Sequence, residues 1–131
     1  FDNNPSFYMD SYSKSALMIT DMSGTAYTYA FTTLRPVIFF SHNEEEAIRS
    51  IHETGGDRFL EDRKKIGYVV ESIEDMVDKI KTLLKENDVF AAKINELRTS
   101  EVFNISSAED YFINNVDYIL EGDKHPDWVY V

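Results

Sequence analysis

Two short and almost wholly apolar runs, Ala16-Leu17-Met18-Ile19-Thr20 and Val37-Ile38-Phe39-Phe40, constrain this chain more than any other feature. Neither alternates apolar with polar residues, so each reads as a strand buried on both faces rather than a half-solvated one. Strands of that kind belong to parallel sheets, whose crossover helices cover both sides. Sequential strands joined by one helix usually lie side by side, so the strands at Leu17 and Val37 are expected to be parallel neighbours.

The segments around these runs supply the helices. Thr20-Asp21-Met22-Ser23-Gly24-Thr25 is a turn of small and capping residues, after which Ala26, Tyr27, Ala30, Phe31 and Leu34 recur at helical spacing until Pro36 stops them. Ser41-His42-Asn43 caps a second helix from Glu44 to about Glu53, closed by Gly55-Gly56. Gly67-Tyr68-Val69-Val70 reads as a third, weaker strand. Ser72 with Asp75 forms a near capping box ahead of Ile73, Met76, Val77, Ile80, Leu83 and Leu84. The spacing predicts that Ile73, Val77, Ile80 and Leu84 face the sheet while Glu74, Asp78, Lys81 and Lys85 stay in water. Asn87-Asp88 caps a helix carrying Val89, Phe90, Ile94 and Leu97. Ser106 with Glu109 caps a last one carrying Phe112, Ile113, Val116, Ile119 and Leu120, ended by Gly122. Ahead of all this, Phe7, Tyr8 and Tyr12 make one side of a short helical approach segment.

Alternation of this kind predicts an α/β fold, a three-layer Rossmann-like parallel sheet with right-handed crossovers. Doubly wound sheets usually carry about six strands in two halves, so three strands read as the second half of one. With 131 residues, 43% of them hydrophobic, the chain has material for one core, and residues 1–131 are read as a single domain or part-domain. It opens on Phe1 rather than methionine and is read as part of a longer chain.

Composition excludes several functions. The chain has no cysteine, hence no disulfide, thiolate metal site or cysteine nucleophile, which suits a cytoplasmic protein. No apolar run approaches the roughly 20 residues that span a bilayer. The net charge of -11 argues against nucleic acid and anionic lipid as partners, since both need clustered Lys and Arg. The charge is uneven: residues 1–43 carry two basic and three acidic side chains, leaving 11 basic and 21 acidic in 44–131. A single phosphate group can still be held locally by backbone N–H groups at a helix N-terminus.

In open α/β sheets, ligands gather beyond the carboxyl ends of the strands. Three segments lie there. In Thr20 to Thr25, the hydroxyl residues Ser23 and Thr25 with Gly24 between them let a phosphate approach the head of the next helix; the same residues also suit plain capping, with Asp21 or Ser23 bonding the first N–H groups. His42, next to Glu44-Glu45-Glu46, is either a base or phosphate contact or a solvated loop residue before a favourable acidic first turn. Glu71-Ser72 is a helix cap or a ligand contact. No Walker A run or GxGxxG fingerprint occurs, and His42, His52 and His125 have no shared metal spacing. The cluster Arg58, Arg63, Lys64 and Lys65, interrupted by Glu61 and Asp62, reads as a solvated face.

The run Ala16-Leu17-Met18-Ile19-Thr20-Asp21-Met22-Ser23-Gly24-Thr25, the helix to Leu34, and Arg35-Pro36-Val37-Ile38-Phe39-Phe40 resemble the C-terminal domain of the CDP-glycerol glycerophosphotransferase family. Those proteins have a similar "ITDYSS", helix, "kPviff" sequence, and the likeness extends loosely over residues 8–86. Met22 stands where the family usually has Tyr, and Gly24 where it has a second Ser. The resemblance implies the C-terminal half of a GT-B nucleotide-binding domain, with the donor pyrophosphate at Ser23, Gly24 and Thr25 and the turn shaped by Thr20 and Asp21. It implies a CDP-glycerol or nucleotide-sugar donor, a glycerophospho- or glycosyltransferase of bacterial cell-envelope, teichoic acid or capsule synthesis, and no metal or other cofactor. It also implies a location at the inner face of the membrane for the full-length protein, and a general base in the remainder of the parent chain, so that this part alone is inactive. Self-association through an unpaired sheet edge is a further expectation. The competing reading is a non-catalytic acidic α/β module that binds or regulates a partner.

Overall fold

Val37, Ile38 and Phe39 are all fully buried. Successive strand residues point to opposite faces, so the strand they form is covered on both sides. The computed structural model describes residues 8–53, 55 and 57–128. Their order is α1 (Tyr8–Lys14), β1 (Met18–Thr20), α2 (Thr25–Thr33), β2 (Val37–Phe40), α3 (Glu44–Glu53), α4 (Asp57–Ile66), β3 (Gly67–Val70), α5 (Ile73–Lys85), α6 (Asn87–Glu101) and α7 (Ala108–Glu121). The fold is mixed α/β, with a three-stranded sheet in the order β1-β2-β3 and both pairings parallel. Thr20 lies opposite Phe39, and Phe39 opposite Val69, so the three carboxyl ends form one edge. β1 and β2 are therefore the parallel neighbours that the sequence predicts, though β1 begins at Met18 rather than Ala16. No helix among the described residues is long and apolar enough to cross a membrane. Phe7 and Gly56 lie outside the described residues.

The chain divides into two compact units, Phe1–Arg98 and Thr99–Val131. In the first, α2 buries Ala26, Tyr29 and Ala30, one helical stripe, and ends with Leu34 in the left-handed region at φ 55°, its N–H on the Ala30 carbonyl. Tyr29 donates its hydroxyl to the Ser15 carbonyl, and Arg35 Nη1 donates to the carbonyls of Ser13 and Ser15, fixing the end of α1. β3 depends on a glycine: a Cβ at Gly67 would stand 1.7 Å from the Val37 carbonyl oxygen. In α6, Phe90, Ile94 and Leu97 are buried and Val89 is exposed.

Helix α5 is capped as its sequence predicts, Ser72 Oγ accepting the Asp75 N–H at 3.1 Å. Its buried face differs. Leu83 is 1% exposed and Met76 and Ile80 pack beside it on the core, whereas Leu84 and Ile73 are each 57% exposed and Val77 also faces water. Two apolar stripes wind around this helix, 76/80/83 and 73/77/84, and periodicity alone does not rank them.

The second correction is α4, a ten-residue helix where the sequence offers few apolar positions. Phe59, Arg63 and Ile66 share one face by their spacing, and Arg63 occupies a core position that stripe rules reserve for a hydrophobe. It is 2% exposed, not part of a solvated face. Its guanidinium lies over the Phe39 ring, 5.5 Å from the centroid.

In the second unit, α7 begins after Ser107 rather than Ser106. Ser106 has φ 65°, and Ser107 makes no side-chain cap. The chain after Gly122 returns to one face of α7, where Trp128 Nε1 donates to the Tyr111 hydroxyl at 2.9 Å and His125 stacks on Trp128. The apolar stripe that the sequence assigns to a core, including Phe112, Ile113, Ile119 and Leu120, is exposed instead, and no residue of α7 is buried.

Candidate functional site

Strand β1 delivers the chain to the carboxyl edge of the sheet, and Asp21 to Gly24 carry it into α2. The first turn of α2 is tight: the Ala26 N–H bonds the Ser23 carbonyl and the Tyr27 N–H bonds the Gly24 carbonyl, each at 3.1 Å. The N-cap position falls on Gly24, which has no side chain to cap with. Ser23 Oγ reaches only the Thr25 N–H, at a long 3.3 Å. The N–H groups of Ser23 and Gly24 have no protein partner among the described residues. Two free donors at the positive end of a nine-residue helix remain available to an anion.

Thr20 and Asp21 precede these donors in the chain and His42 follows β2, and none is hydrogen-bonded to them among the described residues. Thr20 Oγ1 points to Asp21 Oδ1 at 3.4 Å, too long to hold the turn, and Asp21 is exposed. His42 is exposed in the turn that follows β2 on the same sheet edge, without a hydrogen bond or ion pair among the described residues. Beside the first turn of α2, Tyr8, Tyr12, Thr25 and Thr28 line an open hollow of about 300 Å³. Burial, then the nearby Tyr8, raises the Tyr12 phenol pKa above its ordinary value.

No family model, curated protein or solved structure matches the chain. The likeness to the glycerophosphotransferases therefore rests on the motif residues themselves.

Further along the same edge lies a group that sequence reasoning missed. Glu44 opens α3 just beyond β2, and its Oε1 receives Arg63 Nη2 at 2.6 Å; the two side chains are 18% and 3% exposed. Arg63 Nε and Nη1, and Glu44 Oε2, are buried with no hydrogen-bond partner. Next to this pair, Asp62 is buried and bonds Lys65 at 2.6 Å. Tyr27 donates its hydroxyl to the Phe59 carbonyl at 2.8 Å, and burial followed by the Asp62 charge pushes its phenol far above the ordinary tyrosine range, with Arg63 opposing. The only signal in the sequence was the placing of Arg63 three residues before Ile66 and four after Phe59. Among the described residues no group of His, Asp and Glu side chains is arranged to hold a metal.

Proposed function

We propose that the turn from Thr20 to Thr25 holds the diphosphate of a nucleotide-diphosphate donor, and that this chain is the C-terminal, donor-binding half of a GT-B glycerophospho- or glycosyltransferase of envelope or capsule polymers. The observation that carries the reading is Gly24. Its φ of -60° is open to any residue, and a Cβ there would meet nothing within 4 Å. The fold does not need a glycine at this position; a ligand lying against the backbone does. In the reaction the free N–H groups of Ser23 and Gly24 stabilise the charge that develops on the leaving nucleotide, with Thr25 adding a hydroxyl and no metal required. CDP-glycerol and a nucleotide sugar both fit such a site. His42 borders it on the adjacent strand end. The general base that activates the acceptor belongs to the remainder of the parent chain, so this part alone is expected to be inactive. Ile19, 47% exposed on edge strand β1, suits pairing with a further strand, from that remainder or from a second copy.

The test is a thermal shift with CDP, UDP, GDP and ADP against the free nucleosides. With about 1 mM ligand and a Kd of about 0.1 mM, stabilisation of about 1.4 kcal/mol is expected, a shift of several degrees. Gly24→Val should keep the parent melting temperature and lose the shift. If it binds CDP and UDP as well as the parent, the turn is only a helix start. A second reading, a non-catalytic interaction module, draws on the exposed apolar stripe of α7. It is favoured if no nucleoside diphosphate shifts the melting temperature.

A further inference from the structure

Helix α7 leaves most of its apolar surface in water. Phe112, Ile113, Val116, Ile119 and Leu120 recur at i, i+1, i+4, i+7 and i+8, which makes one stripe along the helix. All but Val116 are more than half exposed, Leu120 at 75%. The opposite face is already occupied: Tyr118 packs on His125 and Trp128, and the Tyr111 hydroxyl accepts from Trp128 Nε1. Single apolar residues are ordinary on a surface, whereas a contiguous stripe of more than two helical turns marks a docking face.

The charges beside the stripe restrict what can cover it. Asp110 and Asp117 stand three residues before Ile113 and four after it, and Glu121 stands four after Asp117, so the three form a row along one edge of the stripe. Glu109 lies at its first turn, and all four carboxylates are exposed. The helix has no Lys or Arg. Residues 99–131 carry seven acidic side chains and one basic one, Lys124, which lies beyond the end of α7, and His125 packs on the other face. A second copy therefore brings no cation to this edge, and in an antiparallel pairing it sets the acidic row against itself. A membrane surface is a poor match as well, since helices that lie on anionic lipid carry Lys and Arg beside their apolar face. A helix whose own apolar stripe is bordered by Lys or Arg covers the stripe and neutralises the row together.

We propose that the exposed face of α7 docks a basic amphipathic helix of a partner protein. Its apolar side chains lie against Phe112, Ile113, Ile119 and Leu120, and its Lys or Arg side chains stand beside Asp110, Asp117 and Glu121. Docking here is independent of nucleotide binding at the turn after β1, since it uses a different element and a different chemistry.

The test is a titration of the whole chain followed by amide resonances, with a synthetic peptide of about 18 residues, long enough to form a helix, built from Leu, Lys and Ala. Its leucines make one stripe and its lysines flank them. Two controls accompany it: a scrambled peptide of the same composition, which keeps the charge and loses the stripe, and the same pattern with Glu in place of Lys. With a Kd on the order of 100 µM or tighter, about 1 mM peptide should move the resonances of Phe112, Ile113, Ile119 and Leu120. Both controls should bind at least about tenfold more weakly. Ile113→Ser with Leu120→Ser changes two exposed side chains, so the melting temperature should hold while affinity falls at least about thirtyfold. Asp110→Asn with Asp117→Asn should weaken binding about three- to fivefold. No movement at about 1 mM, movement confined to residues outside α7, equal binding of either control, or unchanged affinity in either double variant overturns the proposal. A dimer of the parent chain that the serine variant dissociates assigns the stripe to a second copy and overturns it too, as does binding to phosphatidylglycerol vesicles that the same variant abolishes. CDP, titrated separately, reports on Ser23 and Gly24, so failure there leaves docking at α7 standing, and the reverse also holds.

Discussion

The two flanks of strand β2 are built differently. On one side β1 is a three-residue edge strand, half exposed at Ile19, joined to α2 by a turn of small residues. On the other, β3 buries both its ends, and α4 and α5 pack against it. The β1 flank carries the more legible motif and the looser packing; the β3 flank reads weakly and is the better buried. A run of apolar residues announces a strand whether or not the rest of its sheet is present, while burial depends on what surrounds it. Backbone chemistry fits the first flank, with free N–H groups at a helix start. Side-chain chemistry fits the second, with an ion pair inside a helical stripe.

The largest expected effect is at the β3 flank. Gly67→Ala places a carbon 1.7 Å from the Val37 carbonyl oxygen, which no side-chain movement relieves. The β2–β3 pairing must separate, and a loss of about 4 kcal/mol or more in urea unfolding is expected. A loss under about 1 kcal/mol would mean that this flank is as loosely held as the other.

Next comes the face of α5. Leu83→Ala should cost about 3 kcal/mol, as a fully buried leucine does, and the exposed Leu84→Ala well under about 1. A reversed order would turn the helix to its 73/77/84 stripe, and would undo the contrast between the flanks.

The ion pair tests whether side-chain chemistry holds the β3 flank. Glu44→Leu strands the Arg63 charge in the core, at an expected cost of about 2–3 kcal/mol, somewhat less than a fully buried pair because Glu44 retains 18% exposure. Adding Arg63→Met should recover most of that loss, because two apolar side chains replace two desolvated charges. If the double variant is the least stable of the three, the pair is a net stabiliser, and the unpartnered atoms lose their significance.

Much of the fold was legible. The three strands, their parallel order, the Ser72 cap and the starts of α3 and α5 follow from apolar runs, turn residues and capping oxygens, which act locally. The turn after β1 was legible as a place, and Gly24 as its centre. Three things were not. The rotation of α5 depends on which of two apolar stripes meets the sheet, a tertiary choice. The burial of Arg63 depends on Glu44, 19 residues away, and no local pattern announces a long-range ion pair. The exposure of Phe112, Ile113, Ile119 and Leu120 reverses a stripe that reads as core, because His125 and Trp128 pack instead on the face of α7 that carries Tyr111 and Tyr118. Periodicity identifies an apolar stripe without saying what it meets.

The smallest effect joins the two flanks. Tyr27 belongs to α2 on the β1 side, and its hydroxyl donates to the Phe59 carbonyl of α4 on the β3 side. Tyr27→Phe removes this one bond and should cost about 1 kcal/mol near neutral pH. The same residue leaves a signature at high pH. Burial, then the Asp62 charge, holds the phenol proton more tightly in the folded chain than in the unfolded one, whose phenol keeps its ordinary value of 10.0. A group with a raised folded pKa contributes stability that is complete below the unfolded pKa and is lost as pH rises above it. Stability of the parent should therefore decline from about pH 10 upward. Tyr12, Tyr29 and Tyr68 are also raised, each chiefly by burial, so Tyr27→Phe should make that decline shallower without removing it. Urea midpoints measured at pH 8 and pH 11 for parent and variant give the comparison. If the two lose the same stability over that interval, Tyr27 ionises as freely as in the unfolded chain, and the tie between the flanks through Phe59 is not made in solution.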